Sequence, residues 1–161
     1  MAQAKKRITL KKVDEYSLLN KYFKMYCIEL AHISGEAAKK PPTLNRNKIR
    51  DDYFIYNERN EMVGFCLISH HPASYSDKDV YVMDFCIFPK FRHRRYGTLA
   101  AKELSKKYKG FNICLSVLKG NDVGAEFWKQ TMTDKQNYKE VFVPYVSNDN
   151  SLIFHYYKKP A

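Results

Sequence analysis

Apolar and polar positions divide the first third of the chain into a strand, a helix and a polar loop. Residues 7–13 alternate apolar and polar side chains, which predicts a short first strand. In residues 14–33 the apolar side chains recur every three or four positions, the spacing of a helix with one buried face. Asp14 is expected to cap the start of this helix and Gly35 to close its end. The basic stretch that follows predicts a loop or a short second helix.

A hairpin and a buried strand come next. Residues 53–56 and 62–69 read as two antiparallel strands, because the polar segment 57–60 between them has the composition of a turn. Residues 80–88 are apolar except for Asp84, and this strand should stop at Pro89, which has no backbone N–H to donate.

Helices and strands alternate through the rest of the chain. Residues 96–108 have helical spacing. The remaining elements are predicted as strands at 111–117, 139–145 and 151–157 and a helix at 121–130. Strands that alternate with helices in the middle, with hairpins at both ends, predict an α/β fold with a mixed sheet. We find no repeat and no linker, so residues 1–161 are expected to form one domain.

A basic loop joins the strand 80–88 to the next helix. It contains Arg92, His93, Arg94 and Arg95, and Gly97 follows. A loop that feeds a helix N-terminus directs free backbone N–H groups to one point, where the helix dipole adds positive potential. Such a turn suits phosphate groups. The alternative is an ordinary solvated basic loop.

The segment 87–97 resembles motif A of the GNAT acyltransferase superfamily. The segment aligns as Ile87, Pro89, Arg92, Arg95 and Gly97, with Arg95 at the position of the motif's first glycine. In that family the motif is a strand followed by Arg or Gln, two residues, Gly, one residue, and Gly or Ala. Its loop holds the pyrophosphate of acetyl-CoA through backbone amides. The resemblance therefore implies acetyl-CoA as cosubstrate.

The order of elements also resembles this family over nearly all 161 residues. The nearest branch is a poorly characterised group of predicted acetyltransferases, which carries an acidic residue and Phe before the loop and an Asn followed by Phe-Trp after it. Asp84-Phe85, Asn121 and Phe127-Trp128 match these positions. The resemblance implies a GNAT-like fold, with a mixed and mostly antiparallel central sheet flanked by helices.

Two positions depart from the family pattern. Arg95 stands where the motif has its first glycine, and a positive φ there would cost Arg about 1 kcal/mol relative to Gly. Trp128 stands where many members have a Tyr that protonates the departing thiolate. Either another tyrosine supplies that proton or no acid is needed, because a thiol with a pKa of about 8.5 leaves readily. Trp128 is expected to pack under the pantetheine or in the core.

The resemblance assigns a set of residues to acetyl-CoA. Backbone amides around Phe85, Cys86 and Ile87 are expected to contact the acetyl carbonyl and the pantetheine, and Asn121 to hold the pantetheine or the adjacent backbone. A helix N-cap explains Asn121 equally well. The residues expected at the pyrophosphate are Arg92, His93, Arg94, Arg95, Tyr96, Gly97 and Thr98.

Asp84 is the candidate catalytic base. Asp is a poor strand residue, and burial would raise its pKa toward neutrality. The alternative is a structural Asp that bonds a neighbouring Tyr, Arg or backbone N–H. His70 and His71 end the hairpin strand and are rival bases, because His titrates near neutral pH. The candidate substrate-binding residues are Tyr26, Glu29, His70 and His71.

The charge of the chain is strongly positive. It has 28 Lys and Arg against 17 Asp and Glu, a formal net charge of +11. Beyond the loop, basic clusters lie in 1–12 and 37–50, which suggests an anionic substrate, nucleic acid or plain solubility. The charge argues against a polycationic substrate. Nucleic acid is a possible partner, but no RNA-binding motif supports it.

Other features of the sequence bear on the location, metal content and oligomeric state of the protein. The N-terminus lacks the apolar region of a signal peptide, and no stretch is long and apolar enough to span a membrane, so we expect a cytoplasmic protein. The four cysteines show no metal-binding spacing, so they are interpreted as reduced, mostly core residues, and no metal is expected. The protein is expected to be a monomer or a homodimer.

The resemblance to the GNAT family implies an enzyme. It is expected to transfer an acetyl group from acetyl-CoA to a primary amine, on a small molecule or a peptide or protein, by direct attack in a ternary complex. One alternative is a non-catalytic acyl-CoA sensor of the same fold. The other is a basic protein directed to tRNA or another nucleic acid.

Overall fold

A computed structural model describes residues 4–35, 40–70, 77–141 and 151–160. Their strands form a seven-stranded sheet in the order β1-β2-β3-β4-β5-β7-β6. β4 and β5 are parallel, and every other neighbouring pair is antiparallel. The predicted mixed and mostly antiparallel sheet is therefore confirmed. The strands are β1 (Thr9–Lys12), β2 (Arg50–Tyr56), β3 (Met62–Ser69), β4 (Asp79–Ile87), β5 (Asn112–Leu118), β6 (Lys139–Val141) and β7 (Leu152–Lys158).

Helices cover both faces of this sheet. α1 (Tyr16–Ser34) packs Leu19 and Phe23 against one face of the sheet. α2 (Tyr96–Lys107) packs Ala100 and Leu104 into the larger core on the opposite face, and α3 (Asp122–Gln130) adds Trp128 to that core. A short 3-10 turn, Pro89–Phe91, precedes α2, and a π-helical turn, Thr131–Lys135, follows α3.

Several element ends differ from the sequence prediction. Asp14 does not cap α1: the N-cap is Glu15, whose side chain makes no capping hydrogen bond. Gly35 closes the helix in the left-handed conformation, as predicted, with a φ of 72°. The described part of the basic stretch, residues 40–49, contains no helix. Of the predicted strand 139–145, residues 142–145 lie outside the described part of the chain.

The two parallel strands separate halfway along their length. Their pairing runs from Asp79 opposite Asn112 to Val82 opposite Leu115 and then stops. A bulge at Met83 marks the same point, because Ile68 of β3 lies opposite Val82 whereas Leu67 lies opposite Asp84. A bulge bends its strand and ends regular pairing. The resulting opening, between 83–87 of β4 and 116–118 of β5, is called the β4–β5 cleft below.

Candidate functional site

Backbone groups of β4 face into the cleft. The Phe88 N–H donates to the Val63 carbonyl of β3 at 2.8 Å, and a Cβ added to Gly64 would lie 2.0 Å from the Cys86 carbonyl oxygen. Cys86 and Phe88 therefore direct their backbone toward β3. Successive residues of a strand point their backbone groups to opposite edges. Phe85 thus presents its N–H and C=O to the cleft, and Ile87 presents its N–H, because the Ile87 carbonyl accepts from Arg92 Nε.

The turn after β4 has the shape of an anion site. His93 and Arg95 both adopt the left-handed conformation, with φ values of 61° and 69°, and Arg95 is the N-cap of α2. The motif position does require a positive φ, so Arg95 carries the cost of about 1 kcal/mol relative to Gly. The first N–H groups of a helix have no partner within it. Those of Tyr96, Gly97 and Thr98 are therefore directed at the turn.

Gly97 allows close packing behind this turn. A Cβ added there would lie 3.2 Å from two ring carbons of Phe127. The glycine thus lets the first turn of α2 approach α3, rather than supplying a positive φ. The position that needs the unusual backbone conformation is Arg95 instead.

A basic groove lies beside the turn. It has a volume of about 500 Å³ and runs between the N-terminal segment, α2 and the end of the π-helical turn. Lys6 also donates from Nζ to the Arg94 carbonyl oxygen at 2.9 Å, which ties the N-terminal segment to the turn. The groove's cations are Lys5, Lys6, Arg95, Lys102 and Lys135. The groove therefore suits a ligand with more than one negative charge.

Arg92 is directed away from the groove, toward α1. Its two terminal nitrogens bind both carboxylate oxygens of Glu29, at 2.9 and 2.6 Å, and its Nε donates to the Ile87 carbonyl at 2.7 Å. This bidentate pair joins the turn to the helix over the opposite face of the sheet. Two residues assigned from the sequence to different ligands, Arg92 and Glu29, are therefore partners of each other.

Asp84 lies next to the bulge, on the face that α1 covers. Burial raises the pKa of its carboxyl to about 7. The Tyr26 hydroxyl and the positive charge of Arg50 act in the opposite direction, and the negative charge of Asp52 adds to the rise. The side chain nevertheless keeps partial contact with solvent. Asp84 is thus a carboxyl that changes charge near neutral pH at the narrow end of the cleft, next to the bulge.

A polar cluster that the sequence did not suggest lies two strands away from Asp84, on the same face of the sheet. Asp52 is 3% exposed. It receives hydrogen bonds from Arg50 Nε at 2.6 Å and from the Tyr16 hydroxyl at 2.7 Å. Arg50 and Asp52 belong to β2, and Tyr16 is the first residue of α1. In the sequence they look like ordinary polar residues at the start of a strand and of a helix. Only the register, which aligns Asp52 with Leu67 and Leu67 with Asp84, places the cluster beside the site.

His70 does not join this site. His70 bonds Asp51 through Nε2 and packs against the Tyr108 ring at 5.7 Å between centroids. Tyr108 belongs to the core beneath α2, so His70 and Asp84 lie on opposite faces of the sheet. His71 lies outside the described residues.

Asn121 and Trp128 have structural contacts. The Asn121 side chain accepts a hydrogen bond from the Gly124 N–H at 3.1 Å, which makes it the N-cap of α3. Trp128 is 8% exposed and packs edge-on against Phe85, with ring centroids 4.9 Å apart. Trp128 therefore supports the strand that borders the cleft.

The residues that converge are therefore a subset of those predicted. Asp84 and Tyr26 meet on one face, the backbone of Phe85 and Ile87 borders the cleft, and the turn from Arg92 to Thr98 follows shortly after β4 in the chain. Three of the four cysteines, Cys66, Cys86 and Cys114, are buried, as expected of core residues. Among the described residues, no group of three or more His, Cys, Asp and Glu side chains is placed to hold a metal ion. None of the helices in the described ranges could cross a membrane.

Comparison with solved structures gives the same fold. An acetyltransferase from Thermus thermophilus aligns with a TM-score of 0.68 at 15% identity, covering 93% of this chain and 96% of the other. Spermidine N-acetyltransferase from Vibrio cholerae, solved with CoA and spermine, gives 0.65 at 8%, with 94% of each chain covered. Ribosomal-protein-S18-alanine N-acetyltransferase from Escherichia coli gives 0.59 at 12%, with 96% of each covered.

Sequence comparison identifies the family. No curated protein matches the chain significantly. The profile of the acetyltransferase (GNAT) family matches residues 17–132, a span that runs from the start of α1 through the cleft and the turn to the end of α3. This chain therefore belongs to the GNAT acetyltransferase family.

Proposed function

We propose that this protein is an N-acetyltransferase that moves an acetyl group from acetyl-CoA to a primary amine. The observation that carries the proposal is the position of Asp84. A carboxyl whose pKa is about 7 lies directly beside the cleft into which Phe85 presents its backbone. A base that titrates near the working pH is the most effective one for removing a proton from an amine.

The shape and charge of the site fit acetyl-CoA. The cleft offers backbone donors and acceptors to an extended amide chain such as pantetheine. The turn at His93–Arg95 offers unpaired N–H groups to a pyrophosphate. The basic groove beside it, lined by Lys5 and Lys102 among other cations, suits a further phosphate. The cleft, the turn and the groove would thus hold, in this order, the pantetheine, the pyrophosphate and the further phosphate of acetyl-CoA.

The residues perform two tasks in this scheme. Asp84, ionised, accepts a proton from the acceptor ammonium or amine, directly or through one water, so that nitrogen can attack the thioester carbonyl. The Phe85 and Ile87 backbone holds the donor so that the carbonyl carbon faces Asp84. The C–N bond forms, the C–S bond breaks, and the sulfur leaves as thiolate or thiol.

The acceptor is an amine on a small molecule, a peptide or a protein. Solved structures with this fold include N-acetyltransferases named for spermidine and for the alanine of ribosomal protein S18. With a net charge of +11, this chain would repel a polyamine, so an uncharged or anionic carrier of the amine is favoured here.

Release of CoA from acetyl-CoA tests the proposal. The purified protein is incubated with acetyl-CoA and a panel of amino-acid amides, peptides with a free N-terminus and peptides with a free lysine. We expect sustained amine-dependent release in the wild type, and a loss of about 10²-fold or more in Asp84→Asn. Acetyl-CoA affinity should be unchanged in this variant. Asp134→Asn, an exposed acid on the π-helical turn, is the control.

The same assay separates this proposal from the sensor hypothesis. Binding of acetyl-CoA without amine-dependent release across the panel would favour a sensor. Unchanged amine-dependent CoA release in Asp84→Asn would still support an acetyltransferase, but it would show that Asp84 is not the base.

A further inference from the structure

A pair of hydroxyl groups bridges β4 and β5 where the cleft begins. The Tyr81 hydroxyl lies 2.5 Å from the Ser116 hydroxyl. Tyr81 belongs to the last paired stretch of β4, and Ser116 is the first residue of β5 beyond the final pair, Val82 with Leu115. The bridge therefore closes the narrow end of the cleft.

This bridge lies on the same face of the sheet as Asp84. Side chains alternate along a strand, and the extra residue Met83 makes Asp84 the next side chain after Tyr81 on that face. The two groups also influence each other, because burial and the negative charge of Asp84 raise the pKa of the Tyr81 phenol. The hydrogen bond with Ser116 works against that rise. A base and an acid are thus neighbours at one end of the cleft.

One of the two hydroxyl protons of Tyr81 and Ser116 is not used by the hydrogen bond between them. Two hydroxyl groups carry two protons, and the bond between them uses one. Neither group has another hydrogen bond within the described part of the chain. Either hydroxyl can be the donor of this bond. When Ser116 donates to the Tyr81 oxygen, the Tyr81 O–H is free for a ligand, and the bond favours loss of that proton because it stabilises the phenolate.

The reaction has a place for such a proton. The resemblance puts the usual thiolate-protonating Tyr at Trp128, which has no hydroxyl and packs against Phe85. Among the tyrosines in the described ranges, Tyr81 bridges the strands that border the cleft. Tyr26 is engaged with Asp84 instead.

We propose that Tyr81 is the general acid of this enzyme and that Ser116 is its positioning residue. The inference rests on the proposed acetyl transfer. As the C–S bond breaks, the electron pair goes to sulfur and the Tyr81 proton follows it, giving CoA thiol and a phenolate that Ser116 stabilises. The proton removed from the amine resides on Asp84. Its return to Tyr81, directly or through water, restores both groups and balances the reaction.

Two variants at the bridge test this assignment, with a matched control. Tyr81→Phe keeps the ring and removes the acid, and Ser116→Ala removes only the supporting donor. Tyr138→Phe deletes a buried phenol whose hydroxyl donates to the Phe111 carbonyl, in the core beneath α2. For each protein we would measure kcat with acetyl-CoA and the best amine of the panel, and acetyl-CoA affinity by calorimetry.

We expect Tyr81→Phe to lower kcat at least tenfold with acetyl-CoA affinity within twofold of wild type. Ser116→Ala should lower kcat less, and Ser116→Thr, which keeps a hydroxyl, should restore it. The Tyr138→Phe enzyme should keep its kcat.

Other results would overturn the assignment. A kcat for Tyr81→Phe within tenfold of wild type would remove Tyr81 as the acid. A parallel loss of kcat and affinity would show that the bridge only supports the cleft. Absence of transfer by the wild type would overturn the proposed function itself, and this inference with it.

Discussion

Glu29 and Arg92 form a bidentate ion pair that joins α1 to the turn after β4. Both side chains are about one-third exposed, at 35% and 36%. Solvent therefore weakens their attraction, and the coupling should be near 1 kcal/mol, the upper end for exposed pairs. Glu29→Ala, Arg92→Ala and the double variant form a thermodynamic cycle in urea unfolding. The exposed pair Glu103 and Lys106 is the matched control, for which we expect a smaller coupling.

Because Arg92 is engaged by Glu29, the two arginines of the turn should differ in function. Arg94→Ala is expected to weaken acetyl-CoA binding without changing the unfolding free energy. Arg92→Ala is expected to lower the unfolding free energy, and to weaken acetyl-CoA binding less than Arg94→Ala does. Calorimetry and urea unfolding on the same two variants measure both quantities. An equal loss of affinity in both would mean that Arg92 turns to the phosphates when acetyl-CoA binds.

Asp84 should reduce the stability of the protein above neutral pH. Its pKa is about 7 in the folded chain and 3.8 for an ordinary Asp, so the folded state favours the neutral carboxyl. The stability that Asp84 contributes is thus fully present below pH 3.8 and is lost as the pH rises through about 7. We expect Asp84→Asn to melt at a higher temperature than wild type at pH 8, with a difference that shrinks toward pH 5. A difference independent of pH would contradict the raised pKa.

Asp51 should behave in the opposite way. Hydrogen bonds from Lys12, Tyr108 and His70 outweigh the effect of burial and lower the pKa of Asp51 to about 2. Its contribution is present above pH 3.8 and is lost as the pH falls through about 2. Asp51→Asn should cost about 2 kcal/mol of unfolding free energy at pH 7, measured by urea unfolding. The cost should fall steadily as the pH is lowered toward 2.

His70 provides a test of the rival base. It bonds Asp51 on the face opposite Asp84, so His70→Ala should lower stability and leave kcat within twofold of wild type. Steady-state kinetics on this variant, beside Asp84→Asn, decide between the two residues. A large kcat loss in His70→Ala alone would transfer the role of base to the histidine.

Arg95 carries a backbone cost that glycine would remove. Arg95→Gly should raise the unfolding free energy by up to about 1 kcal/mol, because glycine adopts the positive φ freely. It should also lower acetyl-CoA affinity about fivefold, since one exposed cation of the groove is lost. Asn60→Gly, at a turn with a φ of 57°, is the control and should leave affinity unchanged.

The sequence predicted the parts of the site that local chemistry determines. Asp84 stood out because it is the single acid of an apolar strand, and its raised pKa follows from the burial that such a strand implies. The turn could be located because strand, cations and Gly97 are neighbours in the chain. Its strained residue could be named as well, since Arg95 breaks the glycine pattern.

Contacts between distant segments could not be predicted in this way. The side chain of Arg92 was assigned to phosphate, but 63 positions separate it from Glu29, and only the packing of α1 brings the two together. The bridge of Tyr81 and Ser116 depends on the register of two parallel strands and on a one-residue bulge. Neither feature leaves a recognisable pattern in the sequence.

Calorimetric titration with acetyl-CoA and with dephospho-acetyl-CoA tests the central claim most directly. We predict that acetyl-CoA binds at a single site and that affinity falls when the 3′-phosphate is removed, because the basic groove with Lys5, Lys102 and Lys135 then loses an anionic partner. Acetyl-CoA that fails to bind would contradict the account. It would mean that the cleft and the Arg95 turn do not form an acyl-CoA site.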